Sequence, residues 1–216
     1  MRAYLPAFGE VVNVTAERLP EDHKAQVNET IIRMNNYSSI DGRTPEIIGD
    51  AISAARLAGD PVAGNFSDVR ARLRFVGDDV TAGPFQESFG DAPIVETLVR
   101  PIDMRRMADP QGDCDDFSMT IRARMLALGI PAHFVTVAVD PDNPDRYSHV
   151  YVVADCDGGV CGPNWTGRVA LDTSHGAYPG WECPNPYGMR TEWRGSRLPA
   201  LLFLAAAATA AWWYFK

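Results

Sequence analysis

The chain is predicted to be an α+β protein, with helices gathered in its first half and an antiparallel β-sheet in its second. Three features of the sequence predict this. Apolar residues recur at three- and four-residue steps in several segments up to residue 128. Runs rich in β-branched residues begin at Ala132, Tyr147 and Arg168, separated by polar turns. Between the two regions stands a helix with strong start and stop signals, and successive helices followed by successive strands favour α+β over an alternating α/β design.

The elements follow in order. Residues 1–20 read as extended or irregular, and Val11, Val12, Asn13, Val14 and Thr15 fit an edge strand. Val27, Ile31 and Met34 place an amphipathic helix over 20–34, after which Asn35, Asn36, Tyr37, Ser38, Ser39, Asp41 and Gly42 read as loop. The next helix opens with Thr44 as cap, Pro45 in the first position and Glu46 in the first turn. Ile47, Ile48, Ile52, Ala55 and Leu57 form its predicted buried side, and Gly59, Asp60 and Pro61 stop it. A third helix over 66–76 carries Phe66, Val69, Leu73 and Val76 on one face, with Arg70, Arg72 and Arg74 on a solvated one. A mixed loop over 77–92 precedes a short helix over 92–99 and another over 102–108.

The organising stretch is Gly112, Asp113, Cys114, Asp115, Asp116, Phe117, Ser118. Asp113 can accept hydrogen bonds from the first free amides of a helix, and Asp115 and Asp116 suit its positive end. Cys114, Phe117, Ile121, Met125 and Leu128 share one face, Gly129 ends the helix and Pro131 forbids its continuation. A thiol at such a tip is favoured as thiolate by the amides and disfavoured by the aspartates beside it, so a neighbouring imidazolium is needed to ionise it. The bland alternative for Cys114 is a small packed hydrophobe.

A histidine and an acid are available downstream. Strands are predicted over 132–139, 147–153 and 168–171, which puts His149 on one strand and Asp172 at the end of the next. Cysteine, histidine and aspartate so arranged make a nucleophile, its base and the group that orients the base. His133 is read as a packed or exposed strand residue, His23 as a surface one, and His175 as a neighbour of Asp172 that could line the cleft although no motif selects it. Asp155 and Asp157 border a Gly-Gly turn and are read as turn residues.

These residues resemble the transglutaminase-like superfamily, within the papain-like cysteine hydrolase fold. The resemblance rests on Gly112 to Ser118, on Leu128, Gly129, Ile130, Pro131, Ala132, on Ser148, His149, Val150, Tyr151, Val152, and on Leu171, Asp172, Thr173, Ser174. Val99, Arg100 and Pro101 fit the approach to the cysteine, and the likeness covers roughly residues 66 to 184. It implies a nucleophile at Cys114, a base at His149 and an orienting acid at Asp172, with a papain-like core. The stretch between His149 and Asp172 departs from the family pattern, being longer and carrying Cys156 and Cys161.

Division of the chain is expected at 1–65 (helical extension), 66–189 (catalytic domain) and 190–216 (basic linker and hydrophobic helix). Cys156, Cys161 and Cys183 admit a hairpin disulfide between the first two, a structural zinc with His175 as a further candidate ligand, or three free thiols, and Cys183, beyond Asp172, could pack near the cleft. Residues 198–215 are apolar apart from Thr209, near the lower limit of the ~20 residues that cross a bilayer. Arg190, Arg194 and Arg197 before this stretch would keep the domain cytoplasmic if it spans; a helix docked on the domain is the alternative.

Composition narrows the function. The chain has 216 residues, 46% hydrophobic, enough for one core, and a formal charge of −8 that disfavours a nucleic-acid surface. The opening residues lack the sustained apolar stretch of a secretory leader. The expected activity is acyl transfer on a peptide or protein amide, with hydrolysis favoured over cross-linking and no cofactor or metal. The Cys114 amide and the side chain of Gln111 are the candidate oxyanion donors. The rival expectation is a non-catalytic module, such as a phage virion component, that keeps the fold.

Overall fold

The computed structural model describes residues 2–5, 10–18, 22–77 and 95–194. The α+β class holds: helices pack on one face of a four-stranded antiparallel sheet.

Strands β1 (Arg2–Leu5) and β2 (Glu10–Arg18) form a hairpin, and β4 (Val95–Val99) pairs with the other side of β2. The predicted edge strand is therefore central in its sheet, and 95–99 is strand where a helix was expected. The reason is long-range. Val95–Val99 finds an antiparallel partner almost eighty residues upstream, which local periodicity cannot reveal.

Helix α1 (His23–Asp41) is capped by Asp22, which accepts from Ala25 N at 2.8 Å. It runs through the segment expected to be loop. Ser38 donates its hydroxyl to Met34 O at 2.6 Å inside the helix, and Arg122 Nη1 donates to Ser38 Oγ at 2.6 Å. Asp41 ends the helix fully buried, accepting from Ile102 N at 3.2 Å and from the Arg100 guanidinium.

Helix α2 (Pro45–Ala58) begins at Thr44 and stops at Gly59, whose φ of 66° suits glycine. Its buried side is Ile47, Ala51 and Ala54; Leu57, expected inside, is 92% exposed. Asp60 then caps α3 (Pro61–Arg72), accepting from Val62 N and Ala63 N, so the signal read as a stop also starts a helix. The arginines of this region are paired: Arg72 with Asp68, Arg74 with Asp109, and Arg70 with Gly176 O.

A two-residue strand β3 (Arg74–Phe75) runs parallel to β5 (Gln111–Gly112), with α4 (Pro101–Arg106) between β4 and β5. Helix α5 (Cys114–Ala127) follows and is enclosed by the other helices and the sheet. The main sheet has the order β8 (Arg168–Leu171), β7 (His149–Asp155), β6 (Ala132–Val137), β9 (Arg190–Trp193). Strand β9 lies where a basic linker was expected. Its Glu192 collects Arg168, Arg190 and Arg194, and although burial opposes it, these arginines hold the carboxyl down to about 2.

Val150, Val152 and Ala154 of β7 face α5 and the main core, while Tyr151 and Val153 pack in a second cluster on the opposite face. Among the described residues, no helix is long and apolar enough to cross a membrane. The apolar segment 198–215 and loop residues 78–92 lie outside the described residues.

Cys156 and Cys161 form a disulfide, both buried, closing the turn after β7. This replaces the zinc and free-thiol readings for that pair. Reduction is expected to lower stability by about 2 kcal/mol for so short a loop, or about 4–8 °C in Tm for a chain of this size. A thermal melt with and without dithiothreitol checks this, and the double variant Cys156→Ser/Cys161→Ser should ignore the reductant.

Candidate active site

The motif around Cys114 is built by close packing. Asp113 adopts extended backbone and accepts from Asp115 N at 3.0 Å, making the predicted cap. Gly112 O accepts from Val76 N, tying the approach to the end of α3's connection. A Cβ on Gly112 would stand 2.3 Å from Asp116 Oδ2, so only glycine fits. Asp116 is buried there because its Oδ1 accepts from Val99 N at 2.8 Å, locking α5 to β4. Gly112 and Asp116 thus fix the head of α5 in place. The half-buried Cys114 thiol donates to Asp115 Oδ1 at 3.6 Å.

His149 opens β7, paired with Val137 of β6. Its Nε2 lies 2.8 Å from Asp172 Oδ2, and both residues are buried, at 7% and 1% exposure. Asp172 is also held from behind, where its Oδ1 accepts from Ser174 Oγ and His175 N, each at 2.9 Å. Burial opposes ionisation of Asp172, but the His149 bond and charge, with these two donors, outweigh it and hold the carboxyl below its usual range. The turn is tight: Gly176 N donates to Asp172 O at 2.8 Å, and a Cβ at Gly176 would lie 2.5 Å from that oxygen.

Two bonds draw this pair to the head of α5. Ser118 Oγ donates to Val150 O at 3.1 Å, and Thr173 Oγ1 to Phe117 O at 3.5 Å. Around the end of the sheet runs a chain of rings. His149 meets His175 edge-on at 4.9 Å, His175 meets Phe75 at 5.0 Å, and Phe75 meets Phe117 at 6.2 Å. Cys114 and His149 both line a cleft of about 390 Å³, whose opposite wall is α1 through Val27, Ile31 and Met34.

Three further residues gain a definite place, and for His23 it is one that the sequence did not suggest. His23, expected at the surface, is half-buried in the cleft wall and accepts from Tyr147 N at 2.9 Å. Burial, then the Arg146 charge, lower its pKa against the pull of Gln26, Asp22 and Asp145, so it is a neutral acceptor near pH 7. His175 packs on His149 itself. Cys183 Sγ lies with His149 and Asp172 in a cluster whose ligand atoms are all within 4.8 Å. Burial, then the Asp172 and Glu182 charges, push the Cys183 thiol up to about 11, so it stays protonated. None of the three stands in a local motif: closeness to Asp172 in the chain points to His175 and Cys183, while only tertiary packing reveals His23.

Two other residues singled out in the sequence have definite positions. Gln111 is buried, donates its amide to Asp109 Oδ2 at 2.6 Å and is not among the described residues that line the cleft. His133 packs in the sheet between Asp155 and Glu192, as expected of a strand residue. Comparison of the chain with family models, curated proteins and solved structures returned no match.

Proposed function

We propose that this chain is a cysteine-dependent acyl-transfer enzyme of the transglutaminase-like kind, with a papain-like core, acting on peptide or protein amides. The observation that carries the reading is the buried His149–Asp172 pair opening on the same cleft as the thiol at the head of α5. Asp172 holds Nε2, which leaves Nδ1 of His149 to exchange a proton with Cys114. The thiolate then attacks the carbonyl carbon, and the developing oxyanion is stabilised by amides at the start of α5. Nδ1–H passes its proton to the leaving amine, giving an acyl-thioester. Water, activated by the same imidazole, releases the acid and restores the thiol; an amine in its place would give transfer. Hydrolysis remains the favoured outcome.

The Cys156–Cys161 disulfide favours an oxidising compartment over the reducing cytoplasm expected from the arginines. Wild type and Cys114→Ala should be incubated with a peptide library and a fluorescent amine. Fragment release from wild type, lowered by roughly 10,000-fold or more in Cys114→Ala, is the expected result. Amine incorporation instead would make the enzyme a cross-linker. If wild type does neither and iodoacetamide labels Cys114 no faster than Cys183, the non-catalytic module replaces the enzyme.

A further inference from the structure

The His149–Asp172 pair has a neighbour that the proposed reaction does not use. Cys183 arrives from the connection between β8 and β9, and it places a sulfur within 4.8 Å of a ring nitrogen of His149 and a carboxylate oxygen of Asp172. One imidazole, one carboxylate and one thiol form a donor set suited to zinc. Ligand atoms around a tetrahedral zinc stand roughly 3.3–3.8 Å apart, given bonds of about 2.0–2.3 Å. To hold an ion, the Cys183 sulfur moves in and the 2.8 Å contact of His149 Nε2 with Asp172 Oδ2 widens, giving up that hydrogen bond to the metal.

The surroundings fit such a use. Ser174 Oγ and His175 N already fix the outer oxygen of Asp172, as outer partners of a metal-bound carboxylate do. Cys183 is reached through a second cavity, of about 550 Å³, which Glu182, Asn185 and Arg190 also line. Asn185 Oδ1 is buried beside it without a partner among the described residues.

We propose that Cys183, His149 and Asp172 bind one zinc ion, with water as fourth ligand, and that the ion reversibly silences the cleft. Coordination releases the Cys183 thiol proton to solvent. Zinc on Nε2 of His149 moves the neutral ring's proton to Nδ1, so Nδ1 can no longer take the proton of Cys114. The binding stands on the cluster alone; the silencing rests on the acyl-transfer reading.

The test uses the full chain with zinc, and with cobalt as its coloured substitute. Wild type and Cys114→Ala should each take up one equivalent and show a cobalt–thiolate charge-transfer band. Cys183→Ser should bind more than about 100-fold more weakly, beyond the loss caused by removing an outer partner. Cys183→Ala, which preserves the apolar packing near Tyr151 and Val153, replaces it if the serine variant does not fold. Uptake lost in Cys114→Ala and kept in Cys183→Ser would assign the metal to the rival cluster of Asp113, Cys114 and Asp115 and overturn the proposal. No uptake by wild type would overturn it too. Zinc should slow wild-type cleavage and leave Cys183→Ser unaffected; equal inhibition of both overturns the silencing. If wild type shows no cleavage, the acyl-transfer reading falls while metal uptake still decides the site.

Discussion

Asp172→Asn is expected to slow amide cleavage by on the order of 1,000- to 10,000-fold while the protein stays folded. The asparagine keeps the shape of Asp172, which is 1% exposed, and can still accept from Ser174 Oγ and His175 N through one oxygen. Its NH2 then faces His149 Nε2 and donates, so the ring carries its proton on Nδ1, the wrong side for taking one from Cys114. Loss of the negative charge also removes the support for the imidazolium. The rate at saturating substrate should fall and KM stay near its wild-type value, since the substituted group does not touch substrate. A loss of less than about tenfold would mean that Asp172 does not orient the base.

The same substitution has a pH signature. The folded pKa of Asp172 is depressed, so its ionised form stabilises the fold above the unfolded carboxylate value of about 3.9. That contribution is lost as pH falls through the lower, folded value. Melts from pH 7 downward should therefore show wild type losing its advantage over Asp172→Asn below about pH 4. A constant difference across that range would contradict the assignment.

What could be read from the sequence was what is decided locally. The cap at Asp113 and the glycine at 129 fixed α5, because both act within one turn of the chain. The strands that carry His149 and lead to Asp172 were legible because β7 and β8 are short, apolar and bounded by turn residues. Partners distant in sequence decided the rest. Residues 35–39 look like loop until Arg122 supplies donors to Ser38 and Ser39 from a helix eighty residues away. Strand β9 is too charged to look like a strand, and it becomes one because Glu192 is the meeting point of three arginines at the sheet edge. His23 reached the cleft wall through tertiary packing alone.

Asp68→Ala is expected to be the most destabilising polar substitution away from the site, at about 3 kcal/mol or more. The guanidinium of Arg124 is 3% exposed inside the helix layer, and its Nη1 bonds Asp68 Oδ2 at 2.6 Å, while its Nε has no partner among the described residues. Removing the carboxylate leaves a cation in a place that water hardly reaches, and that desolvation outweighs the lost contact itself. The cost should appear as a fall in Tm of about 6–12 °C. Arg72→Ala is the control, because its bond to the other oxygen of Asp68 is exposed at the surface and contributes less than about 1 kcal/mol. The double variant Asp68→Ala/Arg124→Leu should recover much of the stability, since it removes the stranded charge together with its partner. Recovery would identify the buried charge as the cause. A double variant no better than Asp68→Ala would instead make the loss one of packing between α3 and α5, the helix that carries Cys114 at its head.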